Sequence, residues 1–153
     1  TVLFLGGVLH PHVATAATYY VATNGNDANP GTLASPFLTV FKGVSVVQAG
    51  DTMYLRQGTY ATSSNWPANV HIPSGTSWSN AITMAGYPDE TATLAPNGIN
   101  IQDNTDLSVV SYWIFDRLTI HHVWFGGGTH HIRISNSDVY GTLLPYAPSN
   151  DPA

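Results

Sequence analysis

Residues 20–32 read YVATNGNDANPGT, residues 35–37 read SPF and residues 50–52 read GDT. The aromatic and β-branched residues from Tyr19 to Thr23 predict a strand. The Asn, Asp, Gly and Pro residues at positions 24–32 predict a turn, because Asn and Gly tolerate positive φ and Pro fixes φ. Ser35 is then a candidate N-cap with Pro36 at the first helical position, so we expect a helix that ends at Gly50.

From Asp51 onward, apolar residues recur in pairs at positions i and i+2, the spacing of one face of a strand. The pairs are Met53/Leu55, Ile82/Met84, Ile99/Ile101, Leu118/Ile120 and Ile132/Ile134. Since a solenoid needs roughly 20 or more residues to return to the same wall, we predict that these pairs stack in one column. The helix is expected to cover the open end of that column. Residues 61–80, rich in Ser, Asn, Pro and Trp, predict a loop.

The composition narrows the class of protein. Hydrophobic residues make up 43% of the 153 residues and charged residues 8%, which suits an all-β protein with a surface of Thr, Ser, Asn, Gly and Tyr. The net charge is −5, with four Lys and Arg together. This argues against nucleic acid as a partner, because phosphate binding relies on clustered basic side chains. The absence of cysteine excludes disulfides and thiolate metal sites.

Residues 1–16 form a separate segment. Residues 1–9 read TVLFLGGVL and residues 14–16 read ATA, a pattern typical of the apolar core and cleavage site of a secretory signal. A run of this length is too short to span a bilayer; an ordered strand that pads the solenoid end is the alternative. We therefore expect a signal-like segment at 1–16, a strand, turn and capping α-helix at 17–50, and the first coils of a truncated solenoid at 51–153.

The N-terminal pattern resembles that of secreted right-handed parallel β-helix proteins, similar to pectate lyases, alginate lyases and chondroitinase-like enzymes. The residues that carry the resemblance are Tyr20-Val21, Gly25, Asp27, Asn29-Pro30-Gly31-Thr32, Pro36-Phe37, Lys42, Gly50-Asp51-Thr52, Leu55 and Gly58-Thr59-Tyr60. Residues 114–120 and 131–136 are similar to the repeated coil of that family. The resemblance implies an all-β solenoid and a polysaccharide substrate, but these motifs belong to the scaffold and do not define an activity.

The chemistry that the resemblance implies is elimination from a uronic acid, which needs a base and a cation that neutralises the sugar carboxylate, often Ca²⁺ held by Asp or Glu. Arg117 and Arg133 are the weak candidates for the base. They are predicted to lie on one outer wall with Asp116 and Asp138, as a small charged patch, although surface ion pairs that stabilise turns explain the same residues. Ca²⁺ comes from the resemblance alone, because no cluster of acidic ligands supports it.

Histidines and tryptophans are the candidates for sugar contact. His121-His122 and His130-His131 suggest imidazole ligands for a metal, but adjacent strand residues point to opposite faces, so at most one of each pair joins a site. Contact with sugar, or a hydrogen bond in a turn, is the preferred interpretation of His121 and His130. Several aromatic side chains can stack on sugar rings, or pack loops against the solenoid: Trp66, Trp78, Trp113, Trp124, Tyr54, Tyr60 and Tyr112. Trp66 and Trp78, which fall in the irregular loop, are the best of these candidates.

Two functions remain open. One is an extracellular polysaccharide-interacting β-helix, the N-terminal part of a lyase that acts on an acidic glycan, with a catalytic centre not complete in this chain. The other is a non-enzymatic structural, adhesive or fibre-forming surface module with end-to-end self-association, favoured by the low charge and by unpaired strand edges.

Overall fold

The computed structural model describes residues 15–62, 71–101, 109–126, 128–141 and 143–145. These residues form twelve strands, one short α-helix and one 3-10 turn, Trp78–Asn80. The helix is α1 (Val40–Val44), and the strands are β1 (Thr18–Val21), β2 (Thr52–Leu55), β3 (Gly58–Thr62), β4 (Ile82–Gly86), β5 (Ala92–Pro96), β6 (Ile99–Ile101), β7 (Ser111–Asp116), β8 (Thr119–Ile120), β9 (Val123–Phe125), β10 (His130–Ser135), β11 (Asp138–Val139) and β12 (Leu143–Pro145).

The strands form three parallel sheets. Sheet I has the order β1-β2-β4-β7-β10, sheet II the order β11-β8-β5-β3 and sheet III the order β12-β9-β6. Strands β4, β5 and β6 pass through sheets I, II and III in turn, and β7–β9 and β10–β12 repeat that path. Every strand pairing is parallel. The chain is therefore an all-β protein built by stacking similar coils, as the period-two pattern predicts.

Alternation along the strands puts apolar side chains from all three sheets into one hydrophobic core. On sheet I, Met53, Met84, Phe115 and Ile134 occupy equivalent positions on β2, β4, β7 and β10. The first three are at most 2% exposed. At about 25 cal/mol per Å² of apolar surface, full burial of one such side chain stabilises the fold by about 1.5–3 kcal/mol, so this repeated column is a main source of stability.

The prediction of a single column for all five apolar pairs is wrong. Ile99 and Ile101 lie on sheet III, and Ile120 lies on sheet II. An i, i+2 spacing identifies the inward face of a strand without identifying its sheet. Only residues 117–118 separate β7 from β8, and only residues 121–122 separate β8 from β9. Because these corners are two residues long, the alternation of apolar residues continues in the sequence from one sheet into the next.

The helix also differs from its predicted bounds. Thr39, not Ser35, is the N-cap, and its hydroxyl oxygen accepts a hydrogen bond of 3.0 Å from the Lys42 N–H. The carboxylate of Asp27 accepts the N–H groups of Leu38 and Thr39, each at 2.9 Å. These bonds keep the preceding residues out of a helix, and α1 ends at Val44, well before Gly50.

The turn at residues 24–32 is confirmed, and Asp27 joins it to α1 with a third bond, accepted at 2.8 Å from the Thr39 hydroxyl. The Val40 and Val44 side chains of α1 are buried in the core that contains Val21 and Met53. Residues 71–77, within the predicted loop, have no strand or helix. No helix in the described ranges is long and apolar enough to cross a bilayer.

Candidate functional site

The outer face of sheet I changes in character from its first strands to its last. One outward row runs through Thr18, Thr52, Thr83, Ile114 and Arg133, and the next through Tyr20, Tyr54, Ala85, Asp116 and Ser135. Strands β1, β2 and β4 therefore present hydroxyl and phenol groups, whereas β7 and β10 present charged groups. The first half of this face can therefore bind a ligand through hydroxyl groups and aromatic rings, and the second half can bind one through charged groups.

An aromatic–cationic cluster lies on the charged half. It consists of Trp78, Tyr112, His130, His131 and Arg133. The guanidinium carbon of Arg133 lies 4.4 Å from the centroid of the Trp78 ring, within the range of a cation–π contact. The Trp78 ring meets Tyr112 edge-on at 5.5 Å and His131 at 5.9 Å, while Tyr112 and His131 stack at 4.5 Å. Trp78 is 40% exposed, so the cluster is open to a ligand.

The backbone of two cluster residues is unusual. Tyr112 and His131 both have φ of 54°, in a region that side-chain-bearing residues adopt with strain. They occupy the same position in successive coils, one residue after the paired Ser111 and His130. The rings of these two residues stack across successive coils, and backbone outliers of this kind concentrate at functional sites.

This backbone also explains why one expectation about the histidines is wrong. His130 and His131 do not point to opposite faces: both are exposed, and their Nδ1 atoms lie 2.6 Å apart. A positive φ at His131 interrupts the alternation on which the expectation was based. The pair therefore supplies two neighbouring imidazoles to the cluster.

The two candidate arginines have different environments. Arg117 forms an ion pair with Asp116, and its Nε donates to the carbonyl of Gly86 at 3.3 Å. Within the part of the chain that the structure describes, Arg133 contacts Trp78 and no carboxylate. The Arg117 side chain thus ties two coils together, whereas the Arg133 guanidinium keeps its hydrogen-bond donors for a ligand.

The predicted charged patch is only partly assembled. Asp116 and Arg133 share the outer face of sheet I, but the Asp116 carboxylate also accepts hydrogen bonds from the Ser135 hydroxyl at 3.0 Å and the Asn136 amide at 2.7 Å. Asp138 lies on β11 of sheet II, away from that face. The Asp116 carboxylate is therefore occupied by the protein.

Other carboxylates also bind protein groups, so they are not free to act as ligands of a cation. Asp51 accepts the N–H groups of Ala17 and Gln48, Asp27 holds the start of α1, and Glu90 pairs with Arg56. Among the described residues, no three His, Asp or Glu side chains gather as metal ligands. These residues do not fit the Ca²⁺ that the resemblance implies, since Ca²⁺ takes six or more oxygen ligands.

The remaining candidates lie elsewhere. The exposed ring of His121, at the corner between β8 and β9, contacts Tyr140 with 6.4 Å between centroids, so the structure does not bring it to the cluster. Trp66 lies outside the described residues. The structure brings together Trp78, His130 and Arg133.

A second group of side chains, which we call the hydroxyl–aromatic surface, covers the outer face of β1, β2 and β4. It consists of Thr18, Tyr20, Thr52, Tyr54, Thr83 and Tyr87. The ring centroids of Tyr20 and Tyr54 are 5.8 Å apart, and Tyr87 contacts Tyr54 edge-on at 5.7 Å. The guanidinium of Arg56 lies 4.6 Å from the Tyr87 ring centroid and forms a two-pronged bond to Glu90 at 2.5–3.0 Å.

The Arg56–Glu90 pair leaves this surface without unpaired charge. The Glu90 carboxylate raises the pKa of Arg56, and the Arg56 guanidinium lowers the pKa of Glu90. Both groups therefore stay ionised and paired across the ordinary pH range.

Sequence reasoning did not connect Tyr112 with His131, and it missed Tyr20 and Tyr87 as parts of a site. A weak signal was present for the first two, because Tyr112 and His131 are separated by the coil step that separates Ser111 from His130. No signal in the sequence connects Trp78 with Arg133, since the approach of β4 to β7 and β10 brings them together.

Residues 19–140 match the protein family described as Pel9A-like, right handed beta helix region. The chain is also 27% identical over 146 residues to the pectate lyase PEL9 of Emericella nidulans, covering 83% of this chain and 35% of that protein. It is 27% identical over 138 residues to the uncharacterized protein YwoF of Bacillus subtilis, covering 80% of this chain and 28% of that protein.

A solved structure of a rhamnogalacturonan lyase has a TM-score of 0.55 at 19% identity, covering 85% of this chain and 38% of that one. At this level of identity the likeness concerns the fold. The chain spans 35% and 28% of the length of the two curated relatives, so the whole-protein activities of those relatives are not observations about this chain.

Proposed function

Because the chain belongs to the family of Pel9A-like right-handed β-helices, a polysaccharide lyase-like fold, we propose that it is the N-terminal part of an extracellular polysaccharide lyase that acts on an acidic glycan. The matched relative is a pectate lyase. In this proposal the coils close into a solenoid, and α1 caps its N-terminal end. The apolar segment at residues 1–16, with its small-x-small end, supports the extracellular location.

One observation supports an acidic glycan as the ligand: the guanidinium of the exposed Arg133 lies against the Trp78 ring. A guanidinium presents N–H groups in a planar fork that matches a carboxylate, and such charge-assisted bonds are the strong ones. Trp78 and Tyr112 offer apolar ring surface on which the C–H face of a sugar packs. One uronic acid residue supplies both partners at once, the carboxylate for Arg133 and the ring for Trp78.

The His130–His131 pair adds hydrogen-bonding groups to this site. With Nδ1 atoms 2.6 Å apart, one imidazole donates to the other, and the outer ring nitrogens stay available for sugar hydroxyls. The site is thus arranged to bind and orient an anionic sugar.

The described residues do not complete a reaction centre. Removal of the proton next to the carboxylate needs a base, and a guanidinium, which stays protonated in proteins, is a poor one. We therefore assign Arg133 to carboxylate binding and place the base outside the described residues.

A binding experiment with matched arginine variants tests this proposal. Migration of the chain through gels that contain pectate gives relative affinities for wild type, Arg133→Gln, Trp78→Ala and Arg117→Gln. A charge-assisted hydrogen bond contributes roughly 1.5–3 kcal/mol, so we expect Arg133→Gln to weaken binding about tenfold or more. Arg117→Gln removes the same charge outside the cluster and should change affinity less than about threefold, the residual effect of a single remote charge. Equal losses for the two arginine variants would contradict the proposal.

A second measurement addresses elimination. Cleavage of pectate by elimination creates a conjugated double bond that absorbs in the ultraviolet. We expect the 153-residue chain to bind pectate without a rise in absorbance, since in this proposal the catalytic centre is not complete in this chain. A rise that is lost in Arg133→Gln would place catalysis within the cluster and correct the assignment of Arg133.

A further inference from the structure

We propose that the hydroxyl–aromatic surface on β1, β2 and β4 is a binding site for a neutral, β-linked glycan, separate from the aromatic–cationic cluster. The inference does not depend on the acidic-glycan proposal, because different strands and different side chains carry it.

The first observation is the state of the hydroxyl groups. Tyr60, a buried tyrosine outside the surface, donates its hydroxyl to the carbonyls of Val21 and Arg56, at 3.0 and 2.7 Å. The hydroxyls of the hydroxyl–aromatic surface have no protein hydrogen-bond partner among the described residues. Tyr60 therefore has a structural role that explains its hydroxyl, whereas six neighbouring hydroxyls on one face have none.

The second observation is the arrangement of the rings. Tyr20 and Tyr54 are paired in register on adjacent parallel strands, and their planes differ by 28°. A centroid distance of 5.8 Å exceeds that of directly superposed rings, so the rings are offset and parts of their faces stay uncovered. Tyr87 adds a third ring, inclined by 58° to Tyr20 and by 83° to Tyr54, so the group offers ring surface in more than one orientation.

The third observation is the charge. Arg56 lies on the Tyr87 ring, but Glu90 neutralises it with a bidentate ion pair. No other charged side chain belongs to the two outward rows on β1, β2 and β4. An uncharged surface favours an uncharged ligand, because a glycan carboxylate placed there would lose water without gaining a partner.

Together these features identify the class of ligand. Pyranose rings with equatorial substituents, such as β-linked glucose or xylose units, present flat C–H faces to aromatic rings and hydroxyls around their edges. The tyrosine rings match the faces, and the Tyr and Thr hydroxyls match the edges. A protein partner would instead require a larger apolar area at the centre of the contact.

The test uses gels that contain a soluble neutral β-glucan, xylan or pectate, with the 153-residue chain in each. We expect retardation by a neutral glycan, weakened about two- to tenfold in Tyr87→Ala, since a contact between an aromatic ring and the sugar is lost. Thr52→Val and Tyr54→Phe keep the packing and remove only hydroxyls, so they guard against a folding defect and should also weaken retardation. Tyr140→Ala, at a 73% exposed position outside the surface, is the matched control and should have no effect.

The two gel types separate this inference from the proposed function. Weaker neutral-glycan retardation in Tyr87→Ala with unchanged pectate binding supports the inference. Arg133→Gln should weaken pectate binding and leave neutral-glycan retardation unchanged. No retardation by either neutral glycan, or retardation unchanged in the tyrosine and threonine variants, overturns the inference. A molecular mass that rises with concentration by light scattering and falls in Tyr87→Ala, without glycan retardation, would show a self-association surface and also overturn it.

Discussion

Substitution of Gly98 tests the stacking of the coils. Gly98 forms the corner between β5 and β6 with φ of 66°, and a Cβ atom there would overlap the main chain of His122 in the next coil. The Ile99 N–H also donates to the His122 carbonyl at 2.6 Å. Two coils meet here through backbone alone, so no side-chain rotation can relieve the overlap.

The expected cost of Gly98→Ala has two parts. Positive φ costs an L-residue roughly 1–2 kcal/mol, and forcing extra volume into a packed contact costs roughly 1–3 kcal/mol. We therefore expect the free energy of unfolding to fall by about 2–5 kcal/mol.

Gly128→Ala is the matched control for the backbone term. Gly128 has φ of 80°, but the nearest atoms to a Cβ there all belong to the Val109 side chain, with Cγ2 closest at 3.0 Å, and Val109 is exposed. Its expected cost is about 1–2 kcal/mol. Urea denaturation followed by tryptophan fluorescence gives both values. Equal losses for the two variants would refute the close approach of the coils at Gly98.

Three further predictions concern single side chains. Tyr60→Phe should lower the free energy of unfolding by about 1–2 kcal/mol, since the carbonyls of Val21 and Arg56 lose the hydroxyl that donates to them. Burial raises the pKa of Tyr60 to about 12, from 10.0, so the stabilisation by its neutral hydroxyl is full below pH 10 and is lost as pH rises toward 12. Denaturant titrations at pH 8 to 12 should therefore show a steeper alkaline fall in the free energy of unfolding for wild type than for Tyr60→Phe. Asp27→Ala should cost about 2–3 kcal/mol by the same assay, because three hydrogen bonds to the start of α1 disappear, and an unchanged midpoint would contradict that role. Because Arg56 lowers the pKa of Glu90, the ion pair stabilises the fold above the pKa that Glu90 has in the unfolded chain. This stabilisation is lost as pH falls through the lowered pKa of the folded state. In Glu90→Gln the free energy of unfolding should therefore fall less steeply at acid pH than in wild type.

Much of the fold could be predicted from the sequence. The family resemblance drawn from the N-terminal pattern is confirmed by the match over residues 19–140, and the inward alternation on β2, β4 and β10 was correctly predicted. The assignment of strands to sheets could not be predicted, because the chain passes from one sheet to the next through two-residue corners that leave the alternation of apolar residues unchanged. The start of α1 was missed because Asp27, a distant residue, determines it.

The candidate site was less predictable for a physical reason. Trp78 and Arg133 approach each other only because strands distant in sequence pair in parallel, and the register of that pairing is not readable from one strand. The positive φ of Tyr112 has no signature in residue type, and that of His131 has only the weak one that His adopts positive φ more often than most residues. The separate roles of Arg117 and Arg133 follow from their neighbours and not from their spacing.

Binding of an acidic sugar at Trp78 and Arg133 is the central element of the proposed function. Titration of the isotope-labelled chain with a galacturonate oligosaccharide, followed through the indole N–H signals of its four tryptophans, tests this claim most directly. We predict a saturable shift of the Trp78 signal, whose midpoint moves to about tenfold higher oligosaccharide concentration or more in Arg133→Gln, with the signal of the buried Trp113 unmoved. A saturable shift confined to Trp124, or no shift at Trp78 while the oligosaccharide binds, would contradict the account.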